Sequence, residues 1–418
     1  MKRITLLAAG TRGDVQPFVA LGKALKRAGY GVRLTASGNF GSFVEGHGLE
    51  FYPVSGDLTA MLSDPQIQSA MRADTPLKAL LSFRTLQRFA FAMQGHFYRA
   101  CEGADAVVYH PVAAVGYFAA RRLGVPSIVA SPFPLTPTRA YPALVFYGSV
   151  RFRPANRLTH RVFQRTFWGS SSAAIKRFWK ETFGTIPPDF GNPYDKQTTP
   201  ERPTIVSCSS HVFPRPNDWP IGVYQTGNWF LDEGDWGPPD DLQAFLAQGE
   251  PPVYVGFGSM SDRETAEATT RLVLDALKRS GRRGVLATGW GGLTGIQPSE
   301  NVYVLDSAPH AWLFPKMAAV VHHGGAGTTA EGLRAGVPSV VAPHALDQFA
   351  WGRRVYELGA GPKPIPKRKL TAEELAAAIQ KALEPGTKRA VSALGEKIRQ
   401  ENGTEQAAEI IVRCLGAA

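Results

Sequence analysis

The stretch VVHHGGAGTTAEG, residues 320–332, decides the fold because an apolar strand, a glycine-rich turn and a helix follow one another directly. Three glycines in four positions let the backbone come close to an anion, whereas a purely structural turn would need only one. Thr328 and Thr329 are expected to supply hydroxyls and to cap the helix. The helix N-terminus is electropositive and the turn carries no acid, so the segment predicts a diphosphate-binding turn.

A second glycine turn near the start of the chain differs in kind. The sequence MKRITLLAAGTRGDVQPF, residues 1–18, runs from a strand through Gly10 to Gly13 and then places Asp14 at the start of a helix. Two like charges about 4 Å apart cost on the order of 4 kcal/mol at an effective dielectric near 20, so Asp14 would repel a phosphate. Asp14 is either an N-cap worth about 1 kcal/mol or a functional carboxylate that complements the diphosphate turn.

Strands and helices alternate in both halves of the chain, as in a parallel sheet covered by helices on both faces. We expect an α/β protein with two doubly wound domains facing one another across a cleft at the carboxyl ends of the strands. The predicted strands are residues 4–9, 31–36, 106–109, 127–130, 252–256, 284–287, 302–305, 318–321 and 339–342. The predicted helices are residues 15–28, 76–101, 113–123, 263–280, 328–335, 372–383 and 388–414.

The length of 418 residues predicts two domains of roughly 200 residues each. A passage rich in proline, glycine and tryptophan, residues 192–236, indicates an irregular edge and a linker. The expected division is a first domain at 1–225, a linker at 226–245, a second domain at 246–395 and a last helix at 396–418.

The sequence also predicts a cytoplasmic protein. The apolar run at the N-terminus is too short for a signal peptide, and no later run approaches the roughly 18 apolar residues of a spanning helix. Cys101, Cys208 and Cys414 are widely spaced and form no CxxC pair, which indicates neither a disulfide framework nor a zinc site.

Positive charge is concentrated in one region. Residues 65–180 contain 16 lysines or arginines against 3 acids, a surplus larger than the net charge of +11 for the whole chain. Within residues 151–180, eight basic residues are interleaved with six aromatic ones and no acid. The segment is either an arginine-rich helix whose aromatic rings pack on the core or a basic amphipathic surface on anionic lipid, where each cation contributes about 1 kcal/mol. No nucleic-acid-binding motif accompanies it, so nucleic acid is not expected as a partner.

Four segments carry a resemblance to a known family. They are GTRGDVQPFVALGKAL at 10–25, YHPVAAVGYFAARRLGVPSIVASPFP at 109–134, VFPRPNDWP with TGNWFLDE at 212–233, and the stretch from PHAWLF to QFAWG at 309–352. The chain resembles the family 1 inverting glycosyltransferases of the GT-B type, and within them it is most similar to the sterol 3-beta-glucosyltransferases. The resemblance implies two Rossmann-like domains, with the acceptor in the first, the donor in the second, and a last helix that crosses back to the first.

The resemblance also implies roles for residues of the second domain. His323, Gly325, Gly327, Thr328 and Thr329 match the diphosphate turn, where His323 donates a hydrogen bond to the leaving phosphate. A uracil-reading part is matched by Trp290, Ser307, Ala308 and His310, and a second phosphate contact by Ser259. Glu331 matches the acid that binds the ribose hydroxyls, and Asp347 with Gln348 matches the pair that holds the sugar. Glu331 favours a uridine over a thymidine diphosphate, since a deoxyribose would leave that carboxylate short of a partner.

Asp14 aligns with the general base of this class, which takes the proton of the acceptor hydroxyl as that oxygen attacks C1 of the sugar. A helix N-terminus is expected to lower the pKa of this carboxyl and weaken it as a base. His110 either orients or assists Asp14 or is a structural histidine after a strand. No DxD-type cluster precedes the diphosphate turn, so we expect no metal and no cofactor besides the donor UDP-glucose; His323 and the helix dipole would neutralise the leaving group.

The predicted function is inverting, metal-independent transfer of glucose from UDP-glucose to a hydroxyl of an apolar acceptor, with a sterol or related isoprenoid as the preferred acceptor. Three alternatives stay open. One is a glycosyltransferase of a natural-product aglycone such as a polyketide, macrolide or flavonoid; another is a non-catalytic nucleotide-sugar or lipid-binding protein of the same fold; the third is an epimerase of this architecture. The expected partners are a UDP-sugar, an apolar hydroxylated small molecule and, through residues 151–180, an anionic membrane surface reached peripherally from the cytoplasm.

Overall fold

A computed structural model of the chain describes residues 1–54, 75–150, 152–232, 236–258, 266–289 and 293–416, with the side chains of 82–90 left aside. The chain forms two compact units. Unit 1 comprises Met1–Leu231 and Glu401–Ala418, and unit 2 comprises Asp232–Gln400. The predicted linker at 226–245 therefore contributes residues to both units, and Trp229 and Leu231 within it are buried in the core of unit 1.

Unit 1 is built on a seven-stranded parallel sheet with the strand order β3-β2-β1-β4-β5-β6-β7. Its strands are β1 (Arg3–Leu7), β2 (Gly31–Ser37), β3 (Glu50–Val54), β4 (Ala106–Tyr109), β5 (Ser127–Ser131), β6 (Thr204–Val206) and β7 (Val223–Gln225). Side chains alternate between its two faces: Leu6 and Val108 belong to one hydrophobic core, and Leu7 and Val107 belong to the other.

Six α-helices in the described part of unit 1 cover the two faces of this sheet. They are α1 (Arg12–Arg27), α2 (Gly41–Gly46), α3 (Pro76–Ala100), α4 (Val115–Leu123), α5 (Asn156–Phe183) and, from the end of the chain, α13 (Gly403–Gly416). The core beside α1 includes Ile410 and Ile411 of α13, so the last helix returns to unit 1 as predicted. The opposite core takes Phe163, Phe167 and Trp179 from α5, which confirms that aromatic rings of the basic segment pack inward.

Unit 2 is built on a five-stranded parallel sheet with the strand order β10-β9-β8-β11-β12. Its strands are β8 (Val253–Gly256), β9 (Gly284–Ala287), β10 (Val302–Leu305), β11 (Ala319–His322) and β12 (Ser339–Val341). Its helices are α6 (Asp240–Ala247), α7 (Ala266–Ser280), α8 (His310–Leu313), α9 (Ala326–Ala335), α10 (Gln348–Glu357), α11 (Ala372–Ala382) and α12 (Pro385–Arg399). Helices lie on both faces, which confirms the doubly wound architecture expected for each half of the chain.

Several boundaries differ from the predictions, and three of them change the description of the helices. The helix expected at 388–414 is two helices, α12 and α13, and the break between them contains Asn402, a poor helix former. Helix α1 begins at Arg12 rather than at residue 15, and α9 begins at Ala326 rather than at residue 328. In both cases the glycine turn is shorter than expected, and the candidate site residues lie inside the first helical turn.

None of the helices in the described part of the chain is long and apolar enough to span a bilayer. The three cysteines are buried and form no disulfide among the described residues.

Candidate active site

The predicted donor-binding residues follow five strands of one parallel sheet. Ser307 comes after β10, His323 after β11 and Asp347 after β12. Because the strands are parallel, their carboxyl ends meet at one edge, where open α/β sheets bind ligands. Ser259 and Trp290, which follow β8 and β9, lie outside the described residues.

The diphosphate turn is fixed by a histidine that the sequence analysis did not single out. Nδ1 of His322 accepts a hydrogen bond of 3.0 Å from the N–H of Gly324, which places the proton of this neutral ring on Nε2. Gly324 has φ +92°, and a Cβ on it would lie 2.8 Å from Cγ1 of Val341. Only glycine therefore fits at residue 324, and burial keeps the pKa of His322 well below its usual value.

Helix α9 begins immediately after this turn. Its N-cap is Gly325, so the expected capping by Thr328 and Thr329 is wrong; both threonines lie within the helix instead. The first turn contains no acidic residue, and the first bond of the ladder runs from the N–H of Thr329 to the carbonyl of Gly325 at 2.9 Å. The N–H groups at 326, 327 and 328 thus face the end of the helix, where an anion is stabilised.

The two threonines differ in access. Thr328 is half-buried and Gly327 before it is exposed, so both can face a ligand. Thr329 is buried, and its hydroxyl has no hydrogen-bond partner among the described residues. Thr328 is therefore the better placed of the two hydroxyls for a phosphate.

His323 lies between two glycines that make room for its ring. A Cβ on Gly258 would come within 3.1 Å of Cε1, and a Cβ on Gly325 within 2.6 Å of Nε2. Burial lowers the pKa of His323 to about 4, so the ring is neutral near pH 7 and can donate one N–H. Its Nδ1 atom is buried without a partner among the described residues. Without a ligand His323 is thus a neutral ring that can donate one hydrogen bond.

The Asp347–Gln348 pair is held by its own helix and loop. Oδ2 of Asp347 accepts a hydrogen bond of 2.8 Å from Nε1 of Trp351, one helical turn further along α10. Oε1 of Gln348 accepts the backbone N–H groups of His344 at 2.8 Å and Ala345 at 3.1 Å. The side-chain amide N–H groups of Gln348 are the polar atoms that these two bonds leave for a sugar hydroxyl.

The residues predicted to read the base and the ribose differ in exposure. Ser307 is exposed and Ala308 half-buried, whereas the ring of His310 stacks on Phe314 with centroids 4.2 Å apart. Glu331 lies inside α9, buried, with Oε2 3.8 Å from Nη1 of Arg334.

In unit 1, Asp14 occupies the third position of α1, and Thr11 is the N-cap, so Asp14 is not itself the cap. One carboxylate oxygen, Oδ2, accepts both the N–H of Thr11 at 2.7 Å and its hydroxyl at 3.0 Å. Burial nevertheless raises the pKa of Asp14, and the two bonds from Thr11 only partly offset that effect. The expected lowering of this pKa is therefore wrong, because desolvation outweighs the helix terminus and its hydrogen bonds.

His110 follows β4, the neighbour of β1 in the sheet. Its Nδ1 atom accepts the N–H of Val112 at 3.3 Å, and burial lowers its pKa to about 4. Nε2 is buried and has no hydrogen-bond partner in the described part of the chain, so His110 is not bonded to Asp14. Its ring meets Phe18 of α1 edge to face, with centroids 6.1 Å apart.

Sequence reasoning missed two residues that position these groups: His322 and Trp351. The spacing of Trp351, four residues after Asp347 on a helix, could have indicated the pair. Among the described residues no group of three or more His, Cys, Asp or Glu could hold a metal ion.

Two family models match separate parts of the chain. Residues 4–142 match the Glycosyltransferase family 28 N-terminal domain, and residues 291–417 match the C-terminal domain of Erythromycin biosynthesis protein CIII-like proteins. The glycosyltransferase of kitacinnamycin superposes with a TM-score of 0.71 at 22% identity, covering 99% of both chains. The glycosyltransferase VinC, solved in complex with DTDP, superposes with a TM-score of 0.67 at 17% identity, covering 100% of both chains. These solved structures establish the GT-B fold.

Two curated relatives are closer in sequence. Sterol 3-beta-glucosyltransferase UGT80B1 of Arabidopsis thaliana is 35% identical over 99% of this chain and 68% of its own length. A sterol 3-beta-glucosyltransferase of Cryptococcus neoformans is also 35% identical over 99% of this chain, which spans only 27% of that protein. Because the first of these relatives matches nearly the whole of this chain, the chain is a glycosyltransferase enzyme. It belongs to the family that includes the sterol 3-beta-glucosyltransferases.

Proposed function

We propose that the protein transfers glucose from UDP-glucose to a hydroxyl group of a sterol or related isoprenoid, with inversion at C1 and with Asp14 as general base. The observation that carries the proposal is the state of Asp14: a half-buried carboxylate whose pKa is raised by desolvation and which is held through one oxygen only. A raised pKa makes a carboxylate a stronger base, and Oδ1 is the oxygen that the Thr11 bonds leave for an acceptor proton.

The reaction would proceed in one displacement. The acceptor oxygen forms a bond to C1 while the bond from C1 to the phosphate oxygen breaks, and its electron pair leaves with UDP. The acceptor proton passes to Asp14. Charge that develops on the diphosphate would be stabilised by the N–H groups that begin α9 and by the N–H of His323, without a metal ion. Full activity in EDTA is the expected result, and loss that is restored by a divalent cation would contradict this part.

The donor is proposed from chemistry rather than from a bound ligand. Glu331 would accept hydrogen bonds from ribose hydroxyls, which a thymidine nucleotide cannot supply in full, while VinC was solved with DTDP. We therefore expect wild-type protein to bind UDP more tightly than TDP, and Glu331→Gln to reduce that preference by about tenfold. An unchanged ratio in the variant would remove Glu331 from the ribose site.

The sterol acceptor is proposed from the relatives, two of which are named sterol 3-beta-glucosyltransferases. The test is an acceptor screen with UDP-glucose scored by product mass, using sterols, a flavonoid and a macrolide aglycone in parallel. Transfer to sterols is expected. Transfer only to the flavonoid or macrolide would change the proposed acceptor class but not the proposed reaction.

His110 is proposed as a hydrogen-bond donor or orienting group near the acceptor.

Asp14→Asn is the decisive variant for the general base. It keeps the size of the side chain but cannot take a proton, so transfer should fall by several orders of magnitude while UDP binds as in wild type. Transfer at the wild-type rate would exclude Asp14 as the base. Loss of UDP binding together with transfer would indicate misfolding instead.

We also propose that residues 151–180 bring the protein to an anionic membrane surface, where a sterol acceptor is dissolved.

A further inference from the structure

Helix α5 has one face in the core and one in water. Its buried positions include Thr159, Phe163 and Phe167, which recur every four residues. The exposed side carries Arg157, Leu158, Arg161, Val162 and Arg165, whose spacings of one, three and four residues place them together on the opposite face.

Three large apolar side chains are exposed at this end of the helix. Phe152, in the loop before α5, is 70% exposed, Leu158 is 61% exposed and Val162 is 36% exposed. Single exposed apolar residues are common on proteins, but three within eleven positions, alternating with arginines, form a surface of mixed character.

The arginines here are not balanced by acids. No aspartate or glutamate occurs between residues 106 and 180. Arg153, Arg161 and Arg165 form no ion pair with any described residue. Arg157 is partly balanced by Asp218, and Arg177 pairs with Glu181 at 2.8 Å, so neither is counted in the surface.

We propose that the surface formed by Phe152, Arg153, Leu158, Arg161, Val162 and Arg165, the α5 face, rests on an anionic lipid bilayer. The guanidinium groups would bind lipid phosphates, and Phe152 and Leu158 would enter the boundary between headgroups and acyl chains. This inference narrows the membrane contact from residues 151–180 to one end of α5, and it rests on the proposed function because a sterol acceptor is supplied from a bilayer.

The charge and the aliphatic side chains together select lipid over other partners. A nucleic acid would use the arginines but would leave Leu158 and Val162 exposed to water. A protein partner would have to supply both carboxylates and an apolar pocket, whereas a bilayer offers phosphates and hydrocarbon side by side. Lipid is therefore the single partner that satisfies all six side chains.

The test is co-sedimentation of the full chain with phosphatidylcholine vesicles that contain or lack phosphatidylserine. We expect binding to the anionic vesicles that weakens as salt is added. Arg161→Glu with Arg165→Glu should weaken binding at least about twentyfold, and Phe152→Ser with Leu158→Ser should weaken it at low and at high salt. The control is Lys388→Glu with Arg389→Glu on α12, an exposed pair in unit 2 with the same change in charge, which should bind as wild type.

Equal loss in the α12 control would mean that net charge alone attracts the protein, and it would overturn the proposal. Absence of binding to anionic vesicles would overturn it as well, as would binding that the serine variant leaves unchanged. Transfer to a detergent-solubilised acceptor is measured on the same proteins. If the α5 variants retain it, the membrane contact is separate from catalysis; if wild type lacks it, the proposed function fails on its own terms.

Discussion

The Asp14 carboxylate occupies the space that a side chain on Gly10 would fill: a Cβ built on Gly10 would lie 2.3 Å from Oδ2 of Asp14. Gly10 also has φ +126°, a backbone conformation that other residues rarely adopt. The first glycine turn is therefore shaped around a carboxylate, as the second is shaped around the ring of His323. Each turn tolerates no side chain where its functional group lies.

Gly10→Ala is expected to displace Asp14 and to abolish most of the transfer activity while UDP binding in unit 2 persists. The strain at positive φ should also lower the free energy of unfolding by about 1–3 kcal/mol. Transfer rates by product mass, UDP affinity by calorimetry and a denaturant titration measure the three effects.

The matched control is Gly13→Ala in the same turn. A Cβ there would have its nearest contact at 3.7 Å, to Oγ1 of Thr11, and alanine favours the helix. This variant should keep its activity. If both alanine variants transfer at the same rate, the close contact between Gly10 and Asp14 has no part in catalysis.

Thr11 should influence how transfer by the proposed base, Asp14, depends on pH. Asp14 accepts a proton only when ionised, so the specificity constant kcat/KM should fall as pH drops through the pKa of Asp14, which burial places above its ordinary value. Thr11→Val removes the hydroxyl bond of 3.0 Å that lowers this pKa, so the acid limb should move to higher pH. Thr11→Ser keeps the hydroxyl and should leave the limb in place. Identical limbs in all three proteins would assign the pH dependence to another group.

His323 should couple donor binding to pH. Its pKa of about 4 belongs to a ring without a ligand, and a diphosphate beside it would favour the charged form. UDP-glucose, which lacks a titrating secondary phosphate, should bind more tightly as pH falls toward that value. His323→Gln should lose this dependence and bind about tenfold more weakly at neutral pH. His47→Gln, in unit 1, serves as the control; a pH dependence that survives in His323→Gln would exclude the ring as its source.

Much of the fold could be predicted from the sequence because its strands are buried and read as continuous apolar runs. Three short strands show the limit of that approach. β3 contains a proline, and β6 and β7 have three residues each within a passage dominated by proline, glycine and tryptophan. Of their pairings, that of β6 with β5 joins strands that are far apart in the sequence. The break between α12 and α13 was missed because the apolar period continues on both sides of Asn402.

The sequence predicted which residues form the candidate site, but not their pKa shifts or the hydrogen bonds that hold them. Spacing and residue type indicated which groups follow the strands, yet the pKa of Asp14 depends on how much of unit 1 surrounds it. The helix N-terminus, a local feature, pointed in the wrong direction for that reason. His322 was passed over because its role, accepting the N–H of Gly324, is visible only in the geometry of the turn.

Trp351 gives a way to separate sugar binding from nucleotide binding. Its Nε1–H donates to Oδ2 of Asp347, and the ring is buried, so Trp351→Phe removes one hydrogen bond while it keeps most of the packing. A bond to a charged group contributes about 1.5–3 kcal/mol, so a carboxylate released from it should hold a sugar hydroxyl less well. We expect UDP-glucose to bind about tenfold more weakly and UDP to bind as in wild type.

Trp312→Phe is the control, since Trp312 lies on α8 and contacts Trp236 and Lys316 rather than the Asp347 loop. It should leave both affinities unchanged. If Trp351→Phe weakens UDP and UDP-glucose equally, the bond orders the whole edge of the sheet and Asp347 is not specific to the sugar. If it weakens only UDP-glucose, the unit 2 site has separate parts for the nucleotide and for the sugar. The hydrogen bond between Trp351 and Asp347 then controls binding of the sugar and not of the nucleotide.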